Sequence, residues 1–128
     1  MAVGRIDLYV AESGLKNNDF DFVVMGRKLL ADPFLPQKLL DNQESLIRPC
    51  IYCYVCVSKI FINQPMCCSV NSSMGREFED KDLYSKSNEK KNIVVIGSGP
   101  AGMESARILG ERGHMVTVLE KEKDIGGT

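Results

Sequence analysis

The sequence lacks a surplus of charge of either sign, with 16 Lys and Arg set against 17 Asp and Glu for a formal net charge of −1. Without a basic excess, nothing draws the chain to nucleic acid or to an anionic membrane surface. It also lacks long apolar runs, none approaching the roughly 20 residues of a membrane span. The opening Met1-Ala2-Val3-Gly4-Arg5 has no apolar stretch of the signal-peptide kind. These absences predict a cytoplasmic protein with no nucleic-acid or membrane partner. Histidine occurs once, at His114, and is expected at the surface. What is present, 44% hydrophobic and 26% charged residues in 128, is an ordinary soluble globular composition.

Cysteine is not scarce, but it is confined: all five cysteines fall between Cys50 and Cys68. Clustered thiols in a chain without an export signal point to a metal rather than a disulfide framework. The order is Cys50-x2-Cys53-x2-Cys56, with Cys67 and Cys68 further along. Three thiolates at such steps wrap one loop around an iron–sulfur cubane, and a fourth closes the cage. Zinc is the rival, although its sites usually employ two separated ligand pairs around one tetrahedral ion. Either Cys67 or Cys68 can serve as the fourth ligand on spacing alone.

The flanks differ in character. In residues 1–48, Arg5-Ile6-Asp7-Leu8-Tyr9-Val10 is a short apolar segment. Phe20-Asp21-Phe22-Val23-Val24-Met25 reads as a buried strand with Gly26-Arg27 at its end. Asp32-Pro33 then supplies an N-cap and a first-turn proline, predicting a helix to about Leu40. Arg27 has a bland alternative role, as an ion-pair partner of Asp32. Residues 49–75 carry the cysteines, and residues 76–91 read as a charged, solvated linker.

Residues 92–128 predict strand, turn, helix and strand. Asn92-Ile93-Val94-Val95-Ile96 runs into Gly97-Ser98-Gly99-Pro100-Ala101-Gly102, a helix follows to Glu111, and Gly113 ends it. Met115-Val116-Thr117-Val118-Leu119 is the second strand, closing on Glu120. This G-x-G-x-x-G has the strand before it, the helix after it and the acid that the dinucleotide fingerprint requires. The first glycine permits the turn, the second admits a pyrophosphate to the backbone, and the third lets helix and strand pack. Glu120 would accept hydrogen bonds from an adenosine ribose. Neither flank contains enough helix to cover both faces of a parallel sheet, so the sequence reads as an internal fragment of a longer protein.

Together these segments resemble the old yellow enzyme family, in the branch of 2,4-dienoyl-CoA reductase and trimethylamine dehydrogenase. The resemblance rests on Val3-Gly4-Arg5-Ile6 with Ala11-Glu12, on Asp21 through Arg27 with Ala31-Asp32-Pro33, on Ile47-Arg48-Pro49-Cys50-Ile51, on Cys68-Ser69-Val70-Asn71 and on the glycine turn. It implies an α/β protein: the C-terminal end of a (β/α)8 barrel in residues 1–48, a cluster segment in 49–75, the linker, and the first βαβ unit of a Rossmann-like domain in 92–128. Gly4, Arg5, Gly26 and Arg27 are then expected around an FMN phosphate, as barrels often bind phosphate after their last two strands. Cys50, Cys53, Cys56 and Cys68 are expected to hold a 4Fe-4S cluster. Gly97, Gly99, Gly102 and Glu120 are expected on FAD, or on ADP.

The parent implied by the resemblance is an oxidoreductase passing electrons between NAD(P)H, FAD, the cluster and FMN. It would reduce an activated C=C bond of a small-molecule substrate, or in the alternative oxidise an amine. The fragment by itself is expected to be inactive, no catalytic residue is named, and a homo-oligomeric parent is compatible with this reading. A metal-stapled, non-catalytic nucleotide-binding segment is the competing class. The sequence departs from the family where the usual glycine and asparagine of the cysteine loop are replaced by Tyr52 and Tyr54, and where Ser72 replaces a proline.

Overall fold

The computed structural model describes residues 1–79 and 84–127 and divides the chain into two units, Met1–Arg76 and Glu77–Thr128. In the first unit, β1 (Ala2–Val3) and β2 (Val23–Val24) pair in parallel, with Ala2 opposite Val23 and Val3 opposite Val24. Between them lies α1 (Leu8–Lys16), opened by Asp7, whose carboxylate accepts from the Tyr9 amide at 2.8 Å. Gly14 sits in α1 because the Phe20 ring packs against the position its Cβ would fill. The parallel arrangement places the segments that follow both strands, Gly4-Arg5 and Gly26-Arg27, at one end of the pair.

Two expectations for this unit are revised. The strand expected over residues 20–25 is only Val23–Val24, and Phe22 is 70% exposed. A strand extends only as far as it has a neighbour to bond, and β1 offers two residues. The helix expected to begin at Pro33 is instead split into α2 (Gly26–Ala31) and α3 (Leu35–Leu40), with Pro36 in the first turn of α3. Asp32 is not an N-cap: Phe34 holds that position for α3 without a side-chain bond, while Asp32 is the C-cap of α2 and accepts from the Phe34 amide at 3.1 Å. Its other oxygen takes the Lys38 ammonium at 2.7 Å and the Arg48 amide at 2.9 Å, so this buried carboxylate is committed there and not to Arg27. A 3₁₀ turn at Glu44–Leu46 and helix α4 (Val55–Phe61) complete the unit.

In the second unit, β3 (Asn92–Ile96) and β4 (Met115–Leu119) pair in parallel over their full length, joined by α5 (Pro100–Glu111). The helix ends in a Schellman turn: Gly113, at φ 93°, donates to Gly110 and His114 to Leu109, at 2.9 and 3.1 Å. His114 is half-buried rather than exposed, and its Nδ1 accepts from the Lys91 amide at 3.3 Å. The expected linker splits between what is described and what is not. Residues 80–83 lie outside the described residues. Residues 84–91 are mostly exposed but tied to the end of α5, through Lys86 to the Glu111 carbonyl and the Ser87 amide to the Arg112 carbonyl, both at 2.8 Å. Helix carbonyls left without intrahelical partners draw such donors. No helix among the described residues is long and apolar enough to cross a membrane.

Candidate functional site

The cysteine loop leaves the 3₁₀ turn extended and then reverses twice. The reversals occur at Tyr52, φ 53°, and Tyr54, φ 62°, both left-handed, and Tyr54 is the N-cap of α4. Left-handed backbone costs a bulky residue about 1–3 kcal/mol, and glycine or asparagine would accept it more readily. The loop carries Cys50, Cys53 and Cys56. These three and Cys68 line a single cavity together with Arg27, Leu30, Ile51, Tyr52, Tyr54 and Val70. Cys67 is not among its lining residues. Cys56 is buried in the first turn of α4, and all the cysteines are free thiols. Cys53 Sγ lies 3.3 Å from Ser69 Oγ, a contact that holds the Cys53 thiol below its ordinary pKa.

The segment that brings Cys68 to the cavity is pinned by Asn71. Its side chain is buried, donates to the Leu30 carbonyl of α2 at 2.9 Å and accepts from the Ser73 amide at 3.2 Å.

Arg5 and Arg27 meet on the two tyrosines. The Arg5 guanidinium stands 5.0 Å from the Tyr52 ring and 5.5 Å from Tyr54, and Arg27 stands 5.1 and 4.7 Å from the same rings. All four separations are within cation–π range. Arg5 Nη2 donates to the Tyr54 hydroxyl at 2.6 Å. Hydrogen bonds from Arg5 and Arg27 hold the Tyr54 phenol below its ordinary value, and the bond to Tyr54 raises Arg27. Two guanidinium groups gathered without a carboxylate partner among the described residues make this end strongly electropositive. Gly4 and Gly26 face open space where a Cβ would point. A second cleft beside the cysteine cavity is lined by Arg5, Lys28, Arg48, Asp7 and Tyr52 among others.

In the second unit, the glycine turn divides its work as the fingerprint requires. Gly97 has φ 94°, and a Cβ on Gly97 or Gly99 would meet nothing within 4 Å. Gly102 is different: its Cβ would collide with the Gly97 carbonyl. Glu120 closes the turn by accepting from the Ser98 amide and hydroxyl at 2.7 and 2.8 Å, while its other oxygen accepts from the Lys121 and Glu122 amides at 2.7 and 3.1 Å. These donors, the Ser98 amide foremost, lower its pKa from 4.5 to about 2. Ser98 is almost wholly buried and escaped the sequence reading, as did Gly126, whose amide donates to the Ser98 carbonyl at 3.0 Å. The Gly126-Gly127 pair was the available clue: both have positive φ, and a Cβ on Gly127 would stand 3.5 Å from Gly99 Cα.

A family model described as Pyridine nucleotide-disulphide oxidoreductase matches residues 64–127. The chain is 36% identical to the probable N-methylproline demethylase of Rhizobium meliloti (strain 1021), over 94% of this chain and 18% of that protein. With the cinnamate reductase of Clostridium sporogenes it shares 33% identity over 99% of this chain and 19% of the relative. Among solved structures, 6-hydroxypseudooxynicotine amine oxidase from Pseudomonas geniculata N1 superposes with a TM-score of 0.88 at 32% identity, covering 98% of this chain and 19% of that one. The chain thus spans about a fifth of the length of these relatives. Through residues 64–127 the chain belongs to the pyridine nucleotide-disulphide oxidoreductases, and as a whole it fits, as a fragment, the 2,4-dienoyl-CoA reductase and trimethylamine dehydrogenase-like branch of the old yellow enzyme family.

Proposed function

We propose that the chain is the cofactor-joining part of an iron–sulfur flavoprotein oxidoreductase, in which Cys50, Cys53, Cys56 and Cys68 hold a 4Fe-4S cluster. The observation that carries this reading is the convergence of those four side chains on one cavity that Cys67 does not line. The donor set suits the group, since soft thiolates are what such clusters take. Around a single zinc ion, thiolates would stand about 3.8 Å apart, given Zn–S bonds of about 2.3 Å. Among the described residues no three ligating side chains are gathered closely enough to hold a metal ion, so the reading rests on the donor set and on the shared cavity.

In this reading residues 1–48 are the last two βα units of an FMN-binding (β/α)8 barrel, and residues 92–128 open the FAD- or ADP-binding domain. Arg5 and Arg27, with Gly4 and Gly26 leaving the backbone approachable, hold the FMN phosphate. Gly97 and Gly99 leave room for a pyrophosphate at the start of α5, whose N-terminus favours an anion. Glu120 is the acid placed to meet a ribose, whose hydroxyls would replace some of the bonds its oxygens now accept from Ser98, Lys121 and Glu122. When bound, the flavins supply hydride exchange and the cluster single-electron transfer. This chain supplies position, charge and spacing.

The reaction we assign to the whole protein is NAD(P)H-driven reduction of an activated C=C bond in an enoyl or dienoyl substrate. The relative named a cinnamate reductase favours it. Amine oxidation is the second reading, favoured by the relatives named a demethylase and an amine oxidase. Anaerobic reduction of the whole protein by NADH or NADPH, followed by addition of an enoyl-CoA or a tertiary amine, separates them. Reoxidation by the enoyl-CoA supports the first reading. Bleaching of the oxidised protein by the amine, with no response to the enoyl-CoA, replaces it with the second.

A further inference from the structure

Arg5 follows β1, Arg27 follows β2, and both guanidinium groups rest on the same pair of rings. Arg5 stands 5.0 and 5.5 Å from Tyr52 and Tyr54, and Arg27 stands 5.1 and 4.7 Å from them. Two cations gathered so closely repel one another, and some group must offset that repulsion. A carboxylate is the usual one, yet neither arginine is ion-paired among the described residues. Here the negative faces of the two rings take that part. A ring offsets a cation without a net charge, whereas a carboxylate would cancel one charge and compete with an incoming anion. The rings are held in place against strain, since both tyrosines are left-handed where glycine or asparagine would sit more easily.

Tyr54 also presents its hydroxyl to this pair. It accepts from Arg5 Nη2 at 2.6 Å and from the Arg27 guanidinium. A guanidinium only donates, so neither arginine can take the phenol proton in return. The two positive charges turn that proton away from themselves, and it meets no acceptor among the described residues. With Tyr54 45% exposed, a ligand can reach it.

Resting on the reading of Arg5 and Arg27 as the holders of the FMN phosphate, we infer that Tyr54 is the third side chain of that site, donating its hydroxyl proton to a phosphate oxygen. The rings of Tyr52 and Tyr54 keep the two arginines together before the flavin arrives. All three groups suit one ligand chemistry, an anion with several acceptor oxygens. Each guanidinium carries five N–H donors, so a bond to the hydroxyl leaves others for the phosphate. No proton is transferred: the phenol keeps its hydrogen and shares it with the anion. Because the cations are already gathered, their repulsion does not have to be overcome on binding. Gly4 and Gly26, each with open space at the Cβ position, leave room beside the same arginines. Tyr54 lies next to Cys53 and caps α4, so the cysteine loop itself completes the flavin phosphate site.

The test is flavin binding by the whole protein, freed of flavin and titrated with FMN or with riboflavin, which lacks the phosphate. Iron and sulfide are measured on the same samples. Tyr54→Phe keeps the ring and removes only the hydroxyl. It is expected to weaken FMN binding about tenfold or more and to leave riboflavin binding where it was, whereas Tyr52→Phe changes neither. Equal losses for FMN and riboflavin would make Tyr54 a packing residue and overturn the inference, as would an unchanged FMN affinity. Tighter FMN binding overturns it too, because the hydroxyl then stands in the place of the phosphate rather than beside it. Should Tyr54→Phe fail to hold its iron, Tyr54→Asn decides by the same ratio. Loss of the preference for FMN over riboflavin supports the role there, and full retention overturns it. Arg5→Gln and Arg27→Gln report on the reading beneath: if neither lowers that preference, the phosphate lies elsewhere and the arginine assignment itself fails.

Discussion

Gly102 and Gly110 lie in the same helix, and the structure predicts that the same substitution has opposite effects at the two positions. A methyl on Gly102 would drive into the Gly97 carbonyl oxygen and stand 3.1 Å from its carbon and 3.5 Å from Val95 Cγ1. The carbonyl cannot retreat cheaply, because the Gly97 amide is bonded to Leu119 at 2.7 Å and the residue already holds φ 94°. Overpacking against such a wall costs about 1–3 kcal/mol, here toward the upper end because the obstacle is backbone. Helix propensity returns up to about 1 kcal/mol. The net for Gly102→Ala is a loss of about 1–2 kcal/mol. At Gly110 a methyl meets nothing within 4 Å, and only the chain-entropy gain of about 0.4–1 kcal/mol remains. Urea unfolding followed by circular dichroism, with amide exchange on α5 and β3, reads both variants. The close-packing account of the third glycine is refuted if Gly102→Ala is as stable as the parent or more so.

Other consequences concern thiols and carboxylates. Serine at Cys50, Cys53, Cys56 or Cys68 is expected to abolish iron retention, while Cys67→Ser keeps it in full; metal analysis of the five variants decides, and the reverse for Cys67 and Cys68 would reassign the fourth ligand. Asp32→Asn should cost about 1–3 kcal/mol by stranding Lys38 and weakening the bond to the Arg48 amide, as read by urea unfolding. Burial pushes the Asp32 carboxyl up, but the Lys38 ammonium and the amides outweigh it and leave the pKa below the ordinary 3.8. Its stabilisation is therefore full above that value and lost as the pH falls below it, a loss that Asp32→Asn should not show. Glu120 behaves alike over a wider window: its contribution is full above 4.5 and lost as the pH falls toward about 2. The advantage of the parent over Glu120→Gln in acid unfolding should fade across that interval, and a difference independent of pH would contradict it.

How legible each part was in the sequence follows from how local its determinants are. The strands Asn92–Ile96 and Met115–Leu119 and the helix between them were readable because each carries its own stop and start: a five-residue apolar run, a glycine turn, a proline in the first helical turn and Gly113 in the C-cap turn. The extent of β2 was not, because strand length is set by its partner. Asp32-Pro33 announced an N-cap, but the carboxylate is taken by the Lys38 ammonium and the Arg48 amide, partners that only the tertiary fold supplies. The tyrosines illustrate the limit best. The sequence marks Tyr52 and Tyr54 as departures from the family loop, yet their left-handed backbone and the meeting of Tyr54 with Arg5, 49 residues away, belong to the tertiary structure. Ser98 likewise becomes a site residue only when Glu120 folds back on it.

The central claim, that four cysteines build an iron–sulfur cage, is tested most directly by iron, acid-labile sulfide and zinc content after anaerobic reconstitution, with the visible spectrum recorded before and after dithionite. The account predicts about four irons and about four sulfides per chain, with a broad visible band that bleaches on reduction. Zinc alone, or no metal under conditions that reconstitute a ferredoxin, would contradict it and leave the function resting on the glycine turn.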